Sequence, residues 1–173
     1  MPTLGEAAFR RHNGQVTVPR LDGIHHLKVH VGDLRGAARW YVRVLGYVLT
    51  VEFVEGESLV GYGFGHPDGG TILTLRLDPE HAAETAGRVY FEMGVPDLDA
   101  MHQLAAYLDG IGEPHGPVVR TPIGWLLPGL FDPEGHEIRF YHSESEFDWT
   151  HQPIRLHDPG PRSWREDLDQ IEL

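Results

Sequence analysis

Residues 23–46 read GIHHLKVHVGDLRGAARWYVRVLG, and the reading of this stretch decides the fold. Its first nine residues alternate like a strand: His25, Leu27, Val29 and Val31 share one face, and His26, Lys28 and His30 the other. Asp33 stands where a helix N-cap belongs. Leu34, Ala37, Ala38, Tyr41, Val42 and Leu45 then recur at helical spacing, and Gly46 closes the helix. The same order returns later in the chain: VGDL at 31–34 comes back as VPDL at 95–98, YVRVLG at 41–46 as YLDGIG at 107–112, and HPDG at 66–69 as DPEG at 132–135. Asp97 lies 64 residues after Asp33, Gly112 lies 66 after Gly46, and Asp132 lies 66 after His66. Similarities in one order and at nearly one offset mark an internal repeat.

Each copy has the same layout. After the first helix, YVLTVEFVEG, SLVGYGFG and TILTLRL read as three strands, with an HPDGG turn before the last. The second copy runs RVYFEMGV, a helix over DLDAMHQLAAYLDGIG, then PHGPVVRTP, GWLLPGLF and HEIRFYH. Each copy is therefore βαβββ, and neither buries the apolar face of its sheet alone, so the two are expected to pair in one α+β domain over 23–142, with module one at 23–78 and module two at 88–142. Residues 1–22 are an N-terminal extension with room for a short helix. Residues 143–173 are a C-terminal extension in which Ser163 and Glu166 suit a capping box, and Trp149 and Trp164 suit packing against the domain.

The chain has 173 residues, is 40% hydrophobic, and carries 26 acidic against 14 basic side chains for a net charge of −12. That balance allows a core and repels phosphate backbones, so neither nucleic acid nor an anionic membrane is an expected partner. No apolar run is long enough for a transmembrane helix, and MPTLGEAAFRRHNG lacks the apolar stretch of a secretory signal, so a cytoplasmic location is expected. Without cysteine there are no disulfides, thiolate nucleophiles or zinc-thiolate sites.

The polar faces of the inner strands carry the chemistry. His26, Lys28 and His30 on the first strand, Tyr90 and Glu92 on the first strand of module two, and Glu137, Arg139 and Tyr141 on the last strand look away from the helices. Together with GIHHLKVHVGDL, VPDLDAM and FDPEGHEIRFY, this pattern resembles the vicinal oxygen chelate superfamily, the group of glyoxalase I, fosfomycin and bleomycin resistance proteins and extradiol dioxygenases. The resemblance implies two βαβββ modules forming a curled, cup-shaped mixed sheet with helices outside and the site inside, a homodimer, and in most members a divalent metal held by one residue from each of four strands.

On that resemblance His26 matches a ligand position. The last strand's ligand place, counted from the DPEG turn, holds Arg139. The matching place after HPDG holds Leu73, and the first strand of module two offers Tyr90. An arginine does not ligate a cation. His26 and His30 lie about 13 Å apart along a strand, too far to share one ion at about 2.1 Å. The expectation is therefore a site without a metal cofactor, with a divalent metal as the alternative.

In this reading Arg139 and Lys28, the only lysine, stabilise an oxyanion, His26 carries a proton, Glu92 supplies the counter-charge, and Tyr90 orients the substrate. His30, Leu73, Leu75, His115, Glu137 and Tyr141 line the substrate space. Three functions follow: metal-independent acid/base chemistry (isomerase, lyase or cyclase) on a small oxygenated molecule; sequestration of a natural product; or a metal-dependent lyase or extradiol-type dioxygenase with non-standard ligands.

Overall fold

The computed structural model describes residues 23–143, together with the backbone of residues 11–12 and 15–16. Those short stretches, β1 (Arg11–His12) and β2 (Gln15–Val16), pair antiparallel where the sequence suggested a helix. Module one consists of β3 (His26–Val31), α1 (Leu34–Leu45), β4 (Val48–Glu55), β5 (Ser58–Gly65) and β6 (Ile72–Leu77). A connecting helix α2 (Pro79–Thr85) leads to module two: β7 (Val89–Gly94), α3 (Leu98–Gly110), β8 (Val119–Thr121), β9 (Gly124–Phe131) and β10 (Glu137–Ser143). The expected C-terminal helix at Ser163 and the packing of Trp149 and Trp164 lie outside the described residues.

The two modules repeat one topology. The sheets have strand orders β3-β6-β5-β4 and β7-β10-β9-β8, each with one parallel pair (β3 with β6, β7 with β10) and two antiparallel pairs. The sheet is curled and not closed into a barrel, an α+β fold of two βαβββ modules.

Local chemistry sets the helix ends. The Asp33 carboxylate accepts from Arg35 N at 3.1 Å and Gly36 N at 2.9 Å, and Gly46 ends α1 with φ of 70°, a left-handed conformation that suits glycine. Asp97 caps α3 through Ala100 N at 2.7 Å. Helix α2 has the same signature in Asp78–Pro79, an N-cap followed by proline in the first turn.

One core runs through both modules on the helix side, with Val29, Tyr41, Phe64, Leu73, Leu75, Met101, Leu108, Leu127 and Ile138 all buried. Leu73 and Leu75 are thus not in the substrate space. Leu73 pairs in register with Leu27 and Phe64, and Leu75 with Val29 and Tyr62, so both point into the core, while Ile72, Thr74 and Arg76 take the opposite face. The cause is the second glycine of HPDGG. Counted against DPEG, it inserts one residue before the strand, and one residue moves every side chain to the other face.

A buried polar cluster ties the modules together. The Tyr41 hydroxyl, from α1, donates to Asp132 Oδ2 at 2.9 Å. His136 Nδ1 lies 3.1 Å from the same oxygen, and the backbone N–H groups of Glu134 and His136 donate to Asp132 Oδ1 at 3.0 and 2.9 Å. His136 Nε2 meets the Thr85 hydroxyl at 2.8 Å. His136 is fully buried, not the surface histidine that its place in a turn suggests.

Burial, reinforced by the adjacent Asp132 carboxylate, raises the Tyr41 pKa well above its ordinary value of 10.0. The folded chain therefore keeps a proton that the unfolded chain releases. The stability this group contributes is fully present below about pH 10 and is lost as the pH rises toward its folded-state pKa. Urea midpoints are expected to fall between pH 9 and 11, and Tyr41→Phe is expected to flatten that decline. An equal decline in the variant would exclude Tyr41 as its source.

Candidate site on the open face of the sheet

The face turned away from the helices is the candidate site. On β3 it carries His26, Lys28 and His30, and register places Ile72, Thr74 and Arg76 of β6 beside them. On β5 this face is almost bare. Gly61 pairs with Arg76 and Gly63 with Thr74, so the alternating glycines of GYGFG all point the same way. The edge strand β4 fills the space with Val51, opposite Gly63, and Phe53, opposite Gly61. A Cβ on Gly61 would lie 3.3 Å from the Phe53 ring, and one on Gly63 would lie 3.2 Å from Val51 and 3.5 Å from the same ring. Phe53 therefore lies across both glycines, and it remains 41% exposed, as Ile72 does at 42%. The result is an apolar shelf open to solvent.

In module two the same face carries Glu92, Glu137, Arg139 and Tyr141. Glu92 is the register neighbour of Arg139, but the guanidinium turns to Glu137, with Nε to Oε1 and Nη2 to Oε2 both at 3.0 Å. Gly129 N donates to the same carboxylate at 3.0 Å. Arg139, followed by Gly129, holds the Glu137 carboxyl below its usual pKa. The counter-charge of Arg139 is thus Glu137, with Glu92 left exposed. The Tyr141 hydroxyl is hydrogen-bonded to the Thr121 hydroxyl.

The remaining predicted residues separate. Tyr90 sits at the bulge between the Val89–Glu137 and Phe91–Ile138 pairs. Its ring stacks on His136 with centroids 4.4 Å apart, and its hydroxyl donates to the Lys28 carbonyl at 3.4 Å. It bridges β7 to β3 at the seam between modules. His26 is exposed, with Nδ1 2.9 Å from His25 Nδ1. His30 lies against His81 of α2, ring centroids 5.2 Å apart. His115 is held elsewhere: Nδ1 meets Gly116 O at 2.7 Å, and Nε2 lies 3.3 Å from an Asp109 carboxylate oxygen at the end of α3 without hydrogen-bond geometry. Lys28 has no ion-pair partner among the described residues. The shelf of Val51 and Phe53 was missed in the sequence, although the alternate glycines of GYGFG announced a bare strand face.

The family's metal can be tested against these residues. With the register corrected, the four ligand places hold His26, Thr74, Tyr90 and Arg139. The Thr74 hydroxyl donates to Leu27 O at 3.2 Å, and Tyr90 and Arg139 are engaged as above. Among the described residues no group of three His, Asp or Glu side chains is arranged to hold an ion. This donor set does not fit a divalent metal.

The comparisons agree with the architecture. Residues 23–140 match the family model of the Glyoxalase/Bleomycin resistance protein/Dioxygenase superfamily. No protein of curated function matches the sequence. Among solved structures, a glyoxylase/bleomycin resistance protein/dioxygenase domain from Frankia sp. EAN1pec is 20% identical with a TM-score of 0.60, covering 72% of this chain and 100% of that one. TnmS3, an antibiotic binding protein from Streptomyces sp. CB03234, is 19% identical at 0.59, covering 73% and 100%. A lactoylglutathione lyase from Agrobacterium tumefaciens is 17% identical at 0.57, covering 72% and 96%. At these identities the likeness is one of fold. No helix among the described residues is long and apolar enough to cross a membrane. The repeated modules and the matched span together establish that the chain belongs to the glyoxalase/bleomycin resistance protein/dioxygenase superfamily.

Proposed function

We propose that the protein binds and sequesters a flat, largely apolar natural product bearing an acidic oxygen. The observation that carries this reading is the shelf of Phe53 and Val51 over bare glycines, beside a family metal site that keeps only His26 of its usual donors. From β4 to β3 is three strand spacings, about 14 Å, a span that suits a ligand several rings wide. The ring system stacks on Phe53, and the Lys28 ammonium takes the acidic oxygen. The likeness to an antibiotic binding protein supports this reading at the level of fold.

The second reading is acid/base catalysis. It is favoured by His26 and Lys28, exposed two residues apart on one strand face. Arg139, already neutralised by Glu137, weakens it.

Fluorescence titration with anthracene-2-carboxylate and its uncharged amide tests the proposal. One site per chain is expected. Phe53→Ala should weaken both probes about tenfold, the loss of roughly 1.4 kcal/mol of ring contact. Lys28→Ala should weaken the carboxylate and leave the amide unchanged. Affinities unmoved by both substitutions would remove the shelf as the site.

A further inference from the structure

A second apolar surface lies on the opposite side of module one. A groove of about 370 Å³ runs between α1 and β4, lined by Arg35, Arg39 and Arg43 together with Ala38, Val42 and Leu49. Val42 is 45% exposed and Leu49 44%. The arginines stand four residues apart on one helix face. Arg43 is paired with Glu113 at 2.7 Å, whereas Arg35 and Arg39 have no ion-pair partner among the described residues.

The fold does not require this stripe. The repeat places Asp99, Gln103 and Tyr107 of α3 at the equivalent positions, and β8, the counterpart of β4, has only three residues. In a chain of net charge −12, a cationic groove with an apolar floor selects an acidic, amphipathic occupant.

The chain itself contains such a segment. Residues 163–173, SWREDLDQIEL, carry Trp164, Leu168 and Ile171 at i, i+4 and i+7, with Glu166, Asp167, Asp169 and Glu172 against the single Arg165. That spacing is the anchor pattern of a helix laid in a groove. The 19 residues from 144 to 162 span up to about 65 Å, ample for a domain of this size, whose radius of gyration is about 14 Å. We propose that residues 163–173 dock along the α1–β4 groove of the same chain, with their apolar stripe against Val42 and Leu49 and their carboxylates against Arg35 and Arg39.

The absence of native cysteine makes a clean test. In the full chain, Val42→Cys is combined in turn with Trp164→Cys, Leu168→Cys or Ile171→Cys and exposed to mild oxidant. At least one pair is expected to form an intrachain disulfide, read as a monomer under non-reducing conditions and by mass. Adding Arg35→Glu and Arg39→Glu should slow the bond about tenfold, equivalent to roughly 1.4 kcal/mol of docking. Val42 is exposed, so its replacement leaves the core intact. Three results overturn the proposal: no disulfide in any of the pairs, a disulfide only between two chains (a second copy as the occupant), or an equal yield when Ala106→Cys, the repeat equivalent on α3, replaces Val42→Cys.

Discussion

Asp132→Ala is expected to lower the free energy of unfolding by about 3–5 kcal/mol. The carboxylate has a fully buried side chain and accepts four hydrogen bonds: from the Tyr41 hydroxyl, the His136 ring and two backbone N–H groups. Removing it leaves a buried phenol and a buried imidazole facing each other with no acceptor between them. Because Tyr41 belongs to module one and Asp132 to module two, the loss also loosens the junction between them. Asp68→Ala, at an exposed carboxylate on the matching turn of module one, is the control and should change stability by less than about 0.5 kcal/mol. Denaturant melts of both variants measure the difference. A loss below about 1 kcal/mol for Asp132→Ala would mean that the cluster does not hold the modules together.

Leu73→Ala is expected to cost about 3 kcal/mol, within the range of roughly 2–5 for leucine truncation in a packed core. Leu73 is fully buried between Leu27 and Phe64. Ile72→Ala, one residue earlier on the open face, should cost under about 1 kcal/mol. Counting residues from the turn places the two the other way round, with Leu73 in the binding space. Denaturant melts of this pair therefore decide the register of β6, and the reverse ranking would restore the counted alignment.

That register marks where the sequence stops being legible. The repeat, the helix caps at Asp33 and Asp97, and the outward face of β3 follow from short-range chemistry, which the residues state directly. Gly70 carries a single-residue insertion that only pairing with β3 and β5 reveals. Tyr90 leaves the open face because a bulge opposite Glu137 turns it into the seam, and a bulge depends on the partner strand. His136 follows a turn, and the groups that cover it include Thr85 of α2 and Tyr90 of β7, elements distant in sequence. The partner of Arg139 was nearer to hand than the expected Glu92: Glu137 lies two residues away on the same strand face. Helix α2 was fully announced by Asp78–Pro79 and was overlooked because the repeat has no counterpart for it.

The corrected face changes the weight of the functional readings. A free guanidinium standing in for a metal would favour oxyanion chemistry. A guanidinium already paired with Glu137, together with an exposed phenyl shelf on the open face of module one, favours holding a ligand. The single cation left unpaired on that face among the described residues, Lys28, then sets the polarity of what is held.

A crystal structure of the protein with anthracene-2-carboxylate tests this most directly. The account predicts the rings against Phe53 over Gly61 and Gly63, with the carboxylate at hydrogen-bond distance, about 2.8 Å, from Lys28 Nζ. Rings bound away from β4 and β5, or a cation ligated at His26 in place of the ligand, would contradict it.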